Sequence, residues 1–136
     1  MRSPPDAIPR LPHAVPFLLL DRVLEIDERR GTFLKLVTAT DPCVGRDGRL
    51  PAAFVLEALA QGCGALLAAQ TGSAGGGGLL AAVDDFRMTG EVRAGDAMEV
   101  EVEIARVFGG AVLFRGRALV EGAVRAEGRI TLKRPR

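Results

Sequence analysis

The clearest pattern in the chain is an alternation toward its C-terminus. Met98, Val100, Val102 and Ile104 are separated by Glu99, Glu101 and Glu103. Period two sends the apolar residues to one face of a strand and the acids to the other. Gly109-Gly110 makes a hairpin turn, after which Val112, Phe114, Gly116, Ala118 and Val120 alternate with Leu113, Arg115, Arg117 and Leu119. Glu121-Gly122 turns the chain again, and Val124, Ala126, Gly128, Ile130 and Leu132 alternate with Arg125, Glu127, Arg129 and Thr131. This predicts an antiparallel meander with one apolar face. Its outer face sets a glutamate row beside arginine rows, where a cross-strand pair contributes roughly 0.2–1 kcal/mol.

Upstream, Pro51–Gln70 (PAAFVLEALAQGCGALLAAQ) is apolar almost all the way round, the pattern of a helix in the middle of a protein. Pro51 suits the first helical position, and no proline follows until Pro135. Gly62 and Gly64 each lower helix propensity by about 1 kcal/mol relative to Ala, which close approach of strands to the helix would explain. Val23–Asp27 reads as a strand, Glu28–Gly31 as a turn, and Thr32–Thr40 as the return strand, with Phe33, Lys35, Val37 and Ala39 alternating loosely. Asp41–Leu50 is a loop into the helix. Thr71–Gly78 (TGSAGGGG) is a Gly-rich connector; it has no following Lys-Ser/Thr and trails a helix, so it is not a phosphate loop. Leu79–Met88 contains a short strand and Gly90–Asp96 a turn-rich link, while residues 1–12, with four of the eight prolines, form an irregular lead-in. The expected architecture is one α+β domain spanning 1–136, a curved antiparallel sheet wrapped round a long central helix. Burying each of Phe54, Val55, Leu56, Leu59, Leu66 and Leu67 is worth about 1.5–3 kcal/mol. The helix is apolar on more sides than one sheet covers, so a second subunit is expected to supply the rest.

Composition narrows the functional classes. The net charge of +1, the even spread of Lys and Arg, and the lack of Trp and Tyr leave no footprint for nucleic acid. Cys43 and Cys63 lie far apart and the chain has one histidine. Neither a zinc site nor a disulfide framework is expected, and a reducing cytoplasm is the default location. No signal peptide order is found at the N-terminus, and the helix, interrupted by Glu57 and Gln61, reads as a buried core helix instead of a membrane span. No cofactor is called for.

Leu11–Val23 (LPHAVPFLLLDRV), Leu50–Leu66 (LPAAFVLEALAQGCGAL) and the sheet region from Val83 onward together resemble the 3-hydroxyacyl-acyl carrier protein dehydratases of the hot-dog fold. The resemblance covers nearly the whole chain. It implies a dimer with sites at the interface, where the helix carboxylate of one subunit faces a histidine of the other. The Glu57–Gln61 stretch matches the helix motif. The family's histidine lies in a Gly-His-Phe-Pro segment fourteen residues before the carboxylate, a position held here by Cys43, and 41–50 contains no histidine. The loop is similar to that of a divergent branch associated with aryl-polyene biosynthesis, which keeps a proline–histidine near the start.

Eliminating water from a 3-hydroxyacyl thioester needs a base for the α-proton, an acid for the leaving hydroxyl, and donors for the thioester oxygen. Glu57 is the candidate acid or partner, a carboxyl on an apolar helix being expensive unless paired, neutralised or used. Its alternative is a surface carboxylate or a pair with Arg46 or Arg49. Gln61 orients Glu57 or is a buried amide bonded to backbone. The free N–H groups of the helix N-terminus, Ala52–Ala53, can orient the thioester oxygen. His13 is the available imidazole, either catalytic or a cap of the lead-in turn. Cys43 reads as a loop cysteine, a thiol being a poor general base, and Asp41 and Asp47 as turn formers. Three functions stay open: a dehydratase acting on 3-hydroxyacyl carrier-protein thioesters, using Glu57 with His13 or an unidentified partner; a non-catalytic or half-catalytic subunit of a heterodimer with a complete dehydratase; and an acyl-thioester hydrolase with Glu57 activating water.

Overall fold

The computed structural model describes residues 19–71 and 79–134. The predicted meander is present as β4 (Ala97–Phe108), β5 (Ala111–Val120) and β6 (Ala123–Lys133). The alternation holds in three dimensions: Met98, Val100, Val102, Ile104, Val112, Phe114, Ala118, Ala126, Ile130 and Leu132 are all buried. The outer face carries the expected charge rows, with Arg117 bonded to Glu101 at 2.6 Å, and Glu103 taken by Arg30 and, more distantly, Arg115. The register slips once in β4, between Ile104 and Arg106, so the residues beyond it no longer follow the simple alternation.

β1 (Arg22–Ile26) and β2 (Arg30–Leu36) form the N-terminal hairpin. The turn is tighter than the sequence suggests because the Asp27 carboxylate accepts the backbone N–H groups of Arg29 and Arg30. β2 ends at Leu36 and not at Thr40; beyond it Val37 bonds to the Asp96–Gly95 turn and Asp41 N–H closes back on the Thr38 carbonyl. Leu79–Met88, expected to hold only a short strand, is a full ten-residue strand, β3. It pairs with β6, so the single antiparallel sheet has the order β1-β2-β4-β5-β6-β3. β1 and β3 are its two edges.

The helix α1 runs Ala52–Thr71, one residue later than predicted at each end. Pro51 lies just outside it, and its carbonyl accepts the N–H groups of Phe54 and Val55. The inner face of the sheet closes on the helix over Val55, Ala58, Leu59, Cys63, Leu66 and Leu67. Gly62 shows why a glycine is tolerated there: a Cβ at that position would stand 2.9 Å from Val100 Cγ1 and 3.3 Å from Val102 Cγ1. By length and composition α1 could cross a membrane, but most of it is buried in this fold. The expectation that Phe54 and Leu56 are core residues is corrected. Phe54 is 36% exposed and Leu56 half-buried, because the first turn of the helix projects past the cover that the sheet provides.

Candidate active site

The exposed first turn leads directly to the polar pair on the helix. Ala52 and Ala53 are exposed, and Glu57, one turn further on, is half-buried. Gln61 follows one turn later, only 1% exposed. Its Oε1 accepts the backbone N–H of Leu19 at 2.8 Å and its Nε2 donates to Glu57 Oε1 at 3.2 Å. The order of these bonds is forced. A main-chain N–H can only donate, so it must meet the amide oxygen, which leaves the NH2 group for the carboxylate. The contacts on which both sequence alternatives for Gln61 turn are present, a bond to backbone and a bond to Glu57. Leu19, buried beside Leu20, ties residues 19–21, just ahead of β1, to the helix. That segment is itself anchored by Asp21, whose N–H bonds to Leu34 O and whose carboxylate accepts the Leu36 N–H. Of the predicted site residues, Glu57, Gln61, Ala52 and Ala53 share one end of α1; His13 lies outside the described residues.

The loop before the helix is held by a second polar group that the sequence reading did not single out. Lys35, on the inward row of β2, is 5% exposed, and its Nζ bonds to Asp41 Oδ2 at 2.6 Å. Asp41 Oδ1 accepts the Cys43 N–H at 2.9 Å. Burial works to raise the Asp41 carboxyl, but the bond from Lys35, the Cys43 N–H and the ammonium charge outweigh it and hold it below its ordinary value. Burial, then the neighbouring Asp41 charge, pushes the Cys43 thiol up. Cys63, fully buried on the helix, is raised further by desolvation. Neither thiol has the environment of a nucleophile or base. Asp41 and Asp47 act as turn formers: Asp47 Oδ1 accepts the Arg49 N–H at 3.0 Å. Arg49 pairs with Asp47 and Glu91, so the pairing of Arg49 with Glu57 considered from sequence is not observed. No group of three His, Cys, Asp or Glu able to hold a metal occurs among the described residues.

The parity of β2 was the available signal for Lys35, since it occupies the same inward row as Phe33 and Val37. Nothing in the sequence marks Leu19, because its contribution is a backbone N–H. A groove of about 450 Å³ opens on the opposite, convex face of the sheet, walled by Arg30, Glu101, Glu103, Arg115 and Arg117. These five side chains are already engaged in ion pairs, and the groove does not include Glu57 or Gln61.

A long helix wrapped by a curved antiparallel sheet is the hot-dog fold. Solved structures share the fold. The dehydratase heterocomplex ApeI:P from Xenorhabdus doucetiae superposes with a TM-score of 0.82 at 22% identity, covering 93% of this chain and 88% of that one. A hypothetical thioesterase with coenzyme A from Streptococcus pneumoniae gives 0.72 at 9% identity, covering 83% and 86%. Residues 5–136 match the ApeP-like family, described as ApeP dehydratase, and the chain belongs to that family. Among curated relatives, the 3-hydroxyacyl-[acyl-carrier-protein] dehydratase FabZ of Actinobacillus succinogenes is 40% identical over 133 residues, covering 91% of this chain and 87% of the relative. FabZ of Thermus thermophilus is 41% identical over 128 residues, covering 89% of each.

Proposed function

We propose that this chain eliminates water from 3-hydroxyacyl thioesters carried on acyl carrier protein, in fatty-acid or polyene-type synthesis in the cytoplasm, with Glu57 as its proton donor. The carrying observation is the fixed chain Leu19 N–H, Gln61, Glu57, which aims a half-buried carboxyl beside the exposed first turn of α1. In the reaction a base removes the C2 proton, the C2–C3 double bond forms as the C3–O bond breaks, and the hydroxyl leaves as water with a proton from Glu57. The Ala52 and Ala53 N–H groups, at the positive end of the helix dipole, steady the thioester oxygen as charge builds on it. The base is His13 or a group from a second hot-dog chain.

The second source has its own support. The chain has a single histidine, and the loop position ahead of the helix holds Cys43 with a raised thiol pKa. β3 lies at the sheet edge, with Leu79 74% and Leu80 54% exposed. An edge of this kind suits pairing with another hot-dog subunit, identical or different, and the heterodimeric reading gains from the likeness to a dehydratase heterocomplex.

The test is turnover of a carrier-bound 3-hydroxyacyl thioester followed by mass spectrometry. Enoyl product from the protein alone supports the self-sufficient enzyme, and product only after addition of a partner hot-dog protein supports the half-catalytic subunit. Release of free thiol instead of enoyl product would establish the hydrolase. In whichever assembly is active, Glu57→Gln should abolish turnover, and an unchanged rate removes Glu57 from the chemistry.

A further inference from the structure

The hairpin joining β4 to β5 ends in two apolar residues that stay about half exposed. Val107 is 52% and Phe108 45% exposed, and Gly109, at φ +57°, turns the chain beside Gly110. Successive strand residues point to opposite faces, so this tip is apolar on both sides of the ribbon. The tip is framed by cations. Arg106 lies 5.6 Å over the Phe108 ring. Lys133 is the partner of Ala111, and the Arg134 N–H bonds to Gly110 O at 2.7 Å, so the end of β6 is stitched to the same tip. Arg106, Lys133 and Arg134 are all exposed. The acids nearest this end are Asp27 and Glu28 of the β1–β2 turn and Glu103. Asp27 is engaged by backbone N–H groups and Glu103 by Arg30, and no acid lies between Arg106 and Val112 or between Leu132 and Arg134.

We propose that the β4–β5 tip is a peripheral docking site for an anionic membrane surface, Val107 and Phe108 dipping to the headgroup–acyl boundary while Arg106, Lys133 and Arg134 meet the lipid phosphates. The site is independent of the dehydratase reading; its outer cation, Lys133, pairs with Leu79, so the site borders the start of β3, while Phe108 itself lies two strands in from it. An amphipathic surface of this kind binds through buried apolar area together with attraction to anionic lipid, each basic residue near such a surface contributing about fivefold in affinity.

The experiment is co-sedimentation of the full chain with vesicles of neutral lipid or of neutral lipid mixed with anionic lipid. Binding is expected to the anionic vesicles only, falling severalfold in high salt. It should fall by about fivefold or more in Phe108→Ser and again in Arg106→Glu, while both variants keep the melting temperature of the parent. Three results overturn the proposal. One is no sedimentation of the correctly folded parent. Another is binding that tip variants leave unchanged. The third is a shift to smaller assemblies in Phe108→Ser by light scattering, which would assign the tip to a contact with another protein chain.

Discussion

At the scale of single residues, the most informative side chain is Gln61, since it holds a backbone donor and a carboxylate at once. Its amide accepts from Leu19 N–H and donates to Glu57. A methionine of similar length fills the space but serves neither. Gln61→Met should lower turnover by about ten- to a hundredfold, because a hydrogen bond to a charged group is worth roughly 1.5–3 kcal/mol. It should also destabilise the fold by about 1–3 kcal/mol through the buried Leu19 N–H left without its acceptor. Gln61→Glu separates the two roles. The Leu19 bond survives, but a second carboxylate now faces Glu57 at 3.2 Å, and like charges so close cannot both ionise easily. The pH dependence of turnover should therefore differ from the parent's, and a carboxyl placed at a position only 1% exposed should lower stability as well. If Gln61→Glu and the parent share one profile, Gln61 does not orient the acid. Glu57 and Gln61 were legible in the sequence because a carboxylate and an amide are conspicuous on an apolar helix. Their partner Leu19 was not, since a backbone donor leaves no trace in residue type.

At the scale of elements, the loop between β2 and α1 depends on an ion pair that the sheet has taken inside. Lys35 and Asp41 have side chains only 7% and 10% exposed, and removing one member of a buried pair strands the other charge, at roughly 3–5 kcal/mol. Lys35→Met should be destabilising on that scale in urea titrations, and the double change Lys35→Met/Asp41→Leu should recover part of the loss. The same pair sets an acid limb. Asp41 ionises below its ordinary value of 3.8 in the folded protein, so its contribution is present above that pH and is lost as pH falls toward the folded value. Urea midpoints measured below about pH 4 should fall less steeply in Asp41→Asn than in the parent; parallel acid limbs would show that the pair does not contribute. Packing of helix on sheet gives a second element-level prediction. With Val100 Cγ1 only 2.9 Å from where a Gly62 Cβ would stand, and valine stiff at χ1, Gly62→Val should cost about 1–3 kcal/mol by overpacking. A melting temperature at or above the parent's would mean that the sheet yields easily there. The close approach at Gly62 was inferable from a glycine in an otherwise good helix. The ion pair was half inferable: the inward parity of Lys35 is in the sequence, but the counterion six residues on comes from the way the loop folds back.

At the scale of the whole molecule, local pattern ends and topology begins. The meander β4-β5-β6 follows from alternation and turns, whereas the placement of β3 beside β6, and of β2 beside β4, is a consequence of closing one sheet round one helix. The same closure leaves the molecule with an unfinished side. The free edge of β3, the run Leu79–Ala82 exposed along it, and the exposed first turn of α1 with Phe54 are exposed apolar surfaces among the described residues. A long exposed edge of this composition is an aggregation hazard unless it is paired, and the proposed site at Glu57 opens beside that first turn. Both facts are met if a second hot-dog chain adds its edge to β3. The chain, alone or with its partner, should then behave as a dimer in light scattering at micromolar concentration. Leu80→Lys, which sets a charge on the edge, should shift it toward monomer and reduce turnover in parallel, whereas Phe108→Ser, two strands in from that edge, should leave the dimer intact. A parent that is monomeric and fully active, or a Leu80→Lys variant that stays dimeric with unchanged turnover, would show that the β3 edge is not where the active assembly forms.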